Sequence, residues 1–391
     1  MDTQNTPVHI SLWHADFWIL AITNLLITMS VYMLIPILPV WMLGSAGFSQ
    51  QAVGIVMGVY GIGLFLLGGF CNWLVQRYRR NRVCLWAIAL VFLALLGCWL
   101  VERELHQSWL QYRVLLFLRL VLGAGFGLVQ MILSSTLIID KSESFQRTEA
   151  NHASAWFGRF ALSLGPMLGI VFARTTFSPI LASAALALAA YILLATVKFP
   201  FRTPDDGVKK ISGDRFFLPV AKWLFLNLFL ICLSVGILMS TQFTAMFYAM
   251  VMVGFAIALL AERFAFVDAD LKSQVVAGSI LIAAALVMIL TRKQMIVNYI
   301  SPVFVGLGIG LIGSRFLLFF IKLSKHCQRG TAVSTYMLGW ESGLAAGLFV
   351  GYFFFAEDVR LALTASLACL ILAFGLYVAF THQWYIRKKN R

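Results

Sequence analysis

Apolar stretches of about 20 residues recur along almost the whole chain, separated by short polar breaks. A helix that crosses the hydrocarbon core of a bilayer needs about 20 apolar residues. The sequence contains twelve such stretches, at about residues 15–41, 51–75, 83–101, 113–139, 150–173, 179–198, 216–240, 242–263, 272–291, 296–322, 331–356 and 359–381. The pattern predicts an all-α membrane protein with twelve transmembrane helices.

Composition excludes a soluble globular domain. Hydrophobic residues make up 61% of the chain and charged residues only 12%, whereas soluble domains carry roughly 25% charged residues. One core cannot bury that much apolar surface, so lipid must solvate much of it. The lipid bilayer is therefore an expected partner.

The second half of the chain repeats the pattern of the first. A glycine ladder at Gly123, Gly125 and Gly127 recurs 183 positions later, at Gly306, Gly308 and Gly310. At nearly the same offset, Arg159 and Glu341 each lie six residues before a glycine. Membrane chains built from two similar halves are typical of transporters, with the substrate site between the halves. The repeat predicts two pseudo-symmetric six-helix bundles.

One long polar break separates the two halves. It contains prolines, a glycine and several charges, which together are typical of a linker. We expect an N-terminal six-helix bundle at residues 1–198, a cytoplasmic linker at 199–215 and a C-terminal six-helix bundle at 216–391. No other segment is long enough for a soluble domain.

The basic residues that give the net charge of +14 lie mostly on one side of the predicted topology. With an even number of helices, 20 of the 30 Lys and Arg residues fall in the segments on the side of the two termini. Cytoplasmic loops carry this excess of basic residues. We therefore expect both termini in the cytoplasm and a multi-pass protein of a bacterial inner membrane. The distribution argues against nucleic acid as a partner.

Three short motifs resemble those of one known family. They are Gln76-Arg77-Tyr78-Arg79-Arg80-Asn81-Arg82 after the second stretch, Arg119-Leu120-Val121-Leu122-Gly123-Ala124-Gly125 in the fourth, and Gly165-Pro166-Met167-Leu168-Gly169 in the fifth. Together they resemble motifs of the major facilitator superfamily, and the resemblance extends over essentially the whole chain.

The first motif departs from the family pattern. Gln76 stands where the resemblance implies an aspartate, and Asn72 and Arg79 stand where it implies glycines. Arg77 and Arg80, with Arg82, fit the basic positions. A glutamine can hydrogen-bond at a helix N-terminus but adds no charge there, and the four arginines also fit simple inside-positive anchors. Asp140, at the end of the fourth stretch, is expected to pair with Arg77 or Arg80 and close the cytoplasmic side.

The resemblance implies alternating access around a site near the middle of the membrane. The third motif (Gly165, Pro166, Gly169) is similar to one that the family associates with antiporters, although glycine and proline also serve plain helix packing. The leading hypothesis is therefore efflux of a small amphipathic molecule in exchange for protons. The alternatives are proton symport of a sugar, organic acid or nucleoside, and, in another class, a non-transporting sensor or a membrane enzyme.

Glu341 is the one acidic residue well inside a stretch. Ionisable residues at membrane depth indicate a functional site with a partner, and a desolvated carboxyl can bind a proton reversibly. We expect Glu341 to couple transport to protons, with Arg159 or Arg315 as its switchable partner or as an anion-binding group. The alternative is a permanent Glu341–Arg315 ion pair that only fixes packing.

Other polar residues complete the predicted site. Arg119 is expected to face a partner or a wet cavity, with snorkelling to the membrane surface as the alternative. Each of the remaining candidates can also be an interhelical hydrogen-bonding or packing group: Asn24, Gln130, Asn227, Gln242 and Trp340.

Enzymatic and cofactor chemistry find no support in the sequence. The chain has no phosphate-binding Gly-Lys-Ser/Thr loop, and its six cysteines are scattered without metal or disulfide spacing. We expect no cofactor, no metal and no enzymatic activity. The expected partners are a small-molecule substrate and protons, and the chain is expected to be a monomer.

Overall fold

The computed structural model describes residues 11–105, 107–199, 207–241, 243–266, 270–292 and 294–389. Twelve long helices run through these ranges. They are α1 (Ala15–Gly44), α2 (Gln50–Arg77), α3 (Arg80–Glu104), α4 (Ser108–Asp140), α5 (Arg147–Phe172), α6 (Pro179–Thr196), α7 (Pro219–Met239), α8 (Ala245–Phe264), α9 (Ser273–Thr291), α10 (Val297–Leu323), α11 (Arg329–Phe354) and α12 (Val359–Lys388).

Eleven of these helices, within the described ranges, are long and apolar enough to cross a membrane. The exception is α11, which is long enough at 26 residues. Buried polar residues such as Thr335, Glu341 and Ser342 lower its hydropathy. The predicted all-α fold with twelve long helices is confirmed. The exact boundaries of the two bundles and the linker stay predictions, because residues 200–206 lie outside the described part.

The glycine ladders bring equivalent helices into contact in both halves. A Cβ on Gly63 of α2 would lie 2.9 Å from the Cα of Gly123 on α4. A Cβ on Gly254 of α8 would likewise lie 2.9 Å from the Cα of Gly306 on α10. Only glycine permits backbones to approach so closely. The repeat in the sequence is thus also a repeat in helix packing.

The second rung of each ladder faces a different neighbour. A Cβ on Gly125 would lie 3.0 Å from Val91 of α3, and one on Gly308 would lie 2.7 Å from Ile282 of α9. Each of the helices α4 and α10 therefore packs closely against two neighbouring helices. In each half, one long helix holds two others at short distance.

Helix α1 is interrupted at Met33. Regular α-helix runs over Ala15–Tyr32 and resumes at Leu34–Gly44. Pro36 has no N–H to bond the carbonyl of Tyr32, four residues earlier, so the sequence itself places the break there. The break fixes where the side chain of Tyr32 leaves the helix.

The Gly165-Pro166 segment packs α5 against this break. A Cβ on Gly165 would lie 3.0 Å from the Cβ of Tyr32, and one on Gly169 would lie 3.0 Å from the carbonyl oxygen of Met33. The motif therefore holds the interrupted part of α1 in place, as expected for small residues at a helix interface.

The two halves meet through α2 with α11 and through α5 with α8. A Cβ on Gly61 of α2 would lie 2.8 Å from the Cβ of Ala345 on α11. The hydroxyl of Ser163 on α5 donates to the carbonyl of Tyr248 on α8 at 2.6 Å. We call the end of the bundle that carries the connections at residues 78–79, 141–146, 207–218 and 324–328 the linker face.

The close approach of α8 and α10 is testable with single methyl groups. Gly306→Ala should lower the unfolding midpoint in detergent, because its Cβ would overlap the backbone of Val251, which cannot rotate away. Overpacking of this kind costs about 1–3 kcal/mol. Gly375→Ala is the matched control, since a Cβ there meets nothing within 4 Å. Equal midpoints for the two variants would contradict the packing.

Candidate functional site

Glu341 lies inside the bundle and contacts the opposite half of the chain. It sits on α11 and is 2% exposed. The hydroxyl of Tyr32 donates to its Oε1 at 2.5 Å, and the hydroxyl of Tyr60 donates to its Oε2 at 3.2 Å. Tyr32 belongs to α1 and Tyr60 to α2. One carboxyl group therefore joins three helices and both halves.

Two further side chains complete this group. The indole N–H of Trp340 donates to the hydroxyl of Tyr32 at 3.3 Å. The guanidinium of Arg119 lies 5.0 Å from the centre of the Tyr60 ring, within the range of a cation–π contact. We call Glu341, Tyr32, Tyr60, Trp340 and Arg119 the carboxyl cluster.

Arg119 faces α2 and not the membrane surface. It is 3% exposed, and its Nε donates to the carbonyl oxygen of Val56 at 3.3 Å. Its terminal nitrogen lies 3.9 Å from the sulfur of Met57. The snorkelling alternative is therefore wrong for this conformation. Arg119 places a positive charge over the ring of Tyr60.

Neither of the other two arginines pairs with Glu341 in this conformation. Arg315 donates from Nε to Oε1 of Gln274 at 2.7 Å, joining α10 to α9. Arg159 donates to the hydroxyl of Ser314 at 2.5 Å. The permanent Glu341–Arg315 pair is thus wrong here. The physical reason is that two tyrosine hydroxyls satisfy the carboxyl without a second buried charge, while Arg315 has its own acceptor.

Arg159 belongs to a second polar group across the interface. Its guanidinium lies 4.2 Å from the centre of the Trp156 ring, one turn earlier on α5. Its partner Ser314 lies on α10, in the opposite half. Nε2 of His152 lies 3.7 Å from Oε2 of Glu262 on α8. We call Arg159, Trp156, His152, Glu262 and Ser314 the arginine cluster.

Asn24 and Gln130 form a network within the first half. Nδ2 of Asn24 donates to the carbonyl of Ser154 at 3.0 Å, and Nε2 of Gln130 donates to Oδ1 of Asn24 at 3.0 Å and to Thr28 at 3.1 Å. These contacts join α1, α4 and α5. They match the interhelical alternative and do not reach Glu341.

Asn227 also serves a helix contact. Its Nδ2 donates to the carbonyl of Ala373 at 2.9 Å and so joins α7 to α12. This contact matches the interhelical alternative for Asn227. Gln242, another candidate, lies outside the described residues.

The expected ion pair at the linker face is present. Nη1 of Arg80 lies 2.5 Å from Oδ2 of Asp140, joining the start of α3 to the end of α4. Gln76 is half-buried and Arg77 is exposed at the end of α2. The pair lies within one half, so it shapes that half and does not itself bridge the interface.

The segment before α7 makes the bridge at this face. Nη1 of Arg215 donates to the hydroxyl of Thr136 on α4 at 2.7 Å, and its backbone N–H donates to Thr331 on α11 at 2.8 Å. Burial, together with the nearby charge of Arg80, lowers the pKa of the Arg215 guanidinium. A polar cavity of about 260 Å³ lies here, lined in part by Arg80, Asp140, Arg147, Arg215 and Arg329.

Sequence reasoning missed the partners of both buried clusters. Tyr32 and Tyr60 are ordinary aromatic residues in apolar stretches, although Pro36 four residues after Tyr32 marked a break. Glu262 lies two residues before the end of α8, where it resembles a loop charge, yet its side chain is only 13% exposed. Helical phase, which sets the direction each residue faces, was the missing information.

Solved structures with the same fold are transporters. The human organic anion transporter MFSD10 superposes with a TM-score of 0.68 at 15% identity, covering 92% of this chain and 98% of its own. A bacterial homologue of the human lysosomal transporter Spinster gives 0.68 at 13% identity, covering 96% and 98%. A bacterial homologue of the iron transporter ferroportin, in its outward-facing state, gives 0.66 at 14%, covering 94% and 100%.

These identities establish the fold alone. No curated protein sequence matches this chain. The family profile of the Major Facilitator Superfamily matches residues 20–348, which is most of the chain and includes Tyr32, Tyr60, Arg159 and Glu341. The chain therefore belongs to the major facilitator superfamily, a family of membrane transporters and not of enzymes.

Proposed function

We propose that this protein exports a small amphipathic molecule in exchange for protons, by alternating access, with Glu341 as the proton-binding group. The observation that carries the proposal is the position of Glu341. Its carboxyl is buried on α11 and accepts hydrogen bonds from Tyr32 and Tyr60 of the opposite half. A proton on this group therefore changes the contact between the halves.

The chemistry of the carboxyl gives the mechanism. An ionised carboxylate accepts two charge-assisted hydrogen bonds, which are roughly twice as strong as neutral ones. A protonated carboxyl offers one oxygen as a donor and loses part of its acceptor capacity. Protonation weakens the link of α11 to α1 and α2, so the two halves separate more easily. Deprotonation restores the link.

The direction of transport is supported by the Gly165-Pro166 segment. It resembles a motif of the family's antiporters, and it packs on α1 beside Tyr32. The segment therefore packs directly against Tyr32, a member of the carboxyl cluster. The basic linker face supports an inner-membrane protein with both termini in the cytoplasm.

Glu341→Gln tests the proposed proton site. Glutamine keeps the size of the side chain and one acceptor oxygen but cannot exchange a proton. Proton release from purified protein in weakly buffered detergent, on addition of a panel of anionic and cationic amphiphiles, should fall to background. Wild-type protein should release protons with at least one ligand. The pH of the solution is followed with an indicator dye.

Glu102→Gln is the matched control for this experiment. Glu102 also lies on a spanning helix, but its Oε2 accepts from Ser178 at 3.0 Å, within the first half. Proton release should be unchanged in this variant. Ligand-dependent release that persists in Glu341→Gln would remove Glu341 from the proton pathway. Binding without release in the wild type would favour a facilitator.

Cys327 provides a test of orientation. It is exposed at the linker face, just before α11, whereas Cys71, Cys84, Cys98 and Cys232 are buried. A membrane-impermeant maleimide should label the protein in inside-out vesicles and leave it unlabelled in intact spheroplasts. Cys327→Ser should abolish the labelling. Labelling from the periplasmic side would reverse the proposed topology.

A further inference from the structure

Arg159 is a buried cation whose hydrogen-bonding capacity is mostly unused. It is 2% exposed, its Nη1 donates to the hydroxyl of Ser314, and the phenol of Tyr336 lies close enough to the guanidinium to interact with it. Its Nε and Nη2 have no partner within the described part of the chain. The ion pairs found among the described residues do not include Arg159. The N–H groups on Nε and Nη2 therefore have no hydrogen-bond acceptor among the described residues.

Such an arrangement is costly unless something completes it. A buried cation that leaves N–H groups unpaired loses its hydration without full compensation, since buried polar atoms are normally hydrogen-bonded. Two neighbouring groups of the arginine cluster are also incomplete. The indole N–H of Trp156 and Oε1 of Glu262 have no partner in the described ranges. Arg159 and Trp156 thus present unpaired N–H groups at one interface, with the carboxyl of Glu262 beside them.

The surroundings indicate the rest of that ligand. The Trp156 ring lies 5.6 Å from Phe160 and 6.3 Å from Phe255 of the opposite half. These rings form an aromatic wall that spans the interface. Rings of this kind bind flat apolar groups. The charge on Glu262 would repel a second negative charge on the same ligand.

We propose that Arg159 binds the anionic group of the cargo, and that the cargo is an aromatic monoanion whose ring packs against Trp156 and Phe255. This inference rests on the proposed function, because it assigns the substrate class of the same transporter. Nε and Nη2 donate side by side to two oxygens of a carboxylate or sulfonate, a geometry that guanidinium favours. The Trp156 N–H supplies a third donor.

The proposed anion site lies next to the carboxyl cluster. A Cβ placed on Gly313 of α10 would lie 3.1 Å from Nε of Arg159 and 3.0 Å from the Trp340 ring. The N–H of that same indole donates to Tyr32, which donates to Glu341. The side chain of Trp340 therefore lies between the proposed cargo site at Arg159 and the proposed proton site at Glu341. A larger residue at position 313 would press tightly against both side chains.

A binding experiment on the full-length protein in detergent tests the assignment. The probes are 1-naphthoate, its neutral amide 1-naphthamide and the cation 1-naphthylmethylammonium, and the readout is the unfolding midpoint as a function of concentration. Naphthoate should raise the midpoint of the wild type, while the amide and the cation should not. Arg159→Gln should weaken naphthoate binding at least about tenfold, which corresponds to about 1.4 kcal/mol.

Two further variants make the result specific. Arg159→Lys keeps the charge but loses the paired donors, so it should bind naphthoate with intermediate affinity. Arg315→Gln is the matched control, because that arginine is also buried but already donates to Gln274. It should bind naphthoate like the wild type. If Arg159→Gln does not fold, the carboxylate-against-amide comparison on the wild type still decides.

The outcomes separate this inference from the proposed function. Naphthoate binding that is retained in Glu341→Gln, with proton release lost, supports both. Equal binding of naphthoate and its amide, unchanged binding in Arg159→Gln, or no effect of naphthoate on the wild type each overturns the anion site. None of these three results affects the proton-release test on Glu341.

Discussion

A carboxyl group placed at membrane depth has to receive its hydrogen bonds from the protein, because hydrocarbon offers none. In this chain the donors for Glu341 come from the other half of the molecule. The interface therefore contains a polar contact whose strength, in the proposed mechanism, depends on one proton. The interruption in α1 and the close packing of α2 on α11 lie next to the two tyrosines that reach this carboxyl.

Lipid-exposed helices cannot rely on the hydrophobic effect to hold together, since the lipid is as apolar as their side chains. Glycine contacts supply the alternative. The pairs Gly63–Gly123 and Gly254–Gly306 bring backbones together in the same way in each half. Because backbone atoms cannot repack, such contacts are rigid. Each half can then move as one body, which is what alternating access between two bundles requires.

Hydropathy and spacing were sufficient to predict the helices, the repeat and the depth of Glu341, because each depends on position along the chain. The pairing of Asp140 with a basic residue at the start of α3 was also predictable, since both mark helix ends. The partners of Glu341 were not. Depth along a helix does not determine which way a side chain faces. Pro36 marks a break next to Tyr32 but does not give the direction of its side chain, and nothing local distinguishes Tyr60 among the 11 tyrosines of the chain. For the same reason the burial of the Glu262 side chain could not be predicted from the sequence.

The break in α1 has a mechanical consequence. A helix bends most cheaply where a backbone hydrogen bond is already missing, and Pro36 removes the bond at the carbonyl of Tyr32. The segment Leu34–Gly44 can therefore change its angle to Ala15–Tyr32. Tyr32, whose hydroxyl donates to Glu341, lies at this hinge. A change in this angle would displace the hydroxyl of Tyr32, and hydrogen bonds depend steeply on distance and angle. In the proposed mechanism, bending of α1 and proton binding at Glu341 therefore act on the same residue, Tyr32.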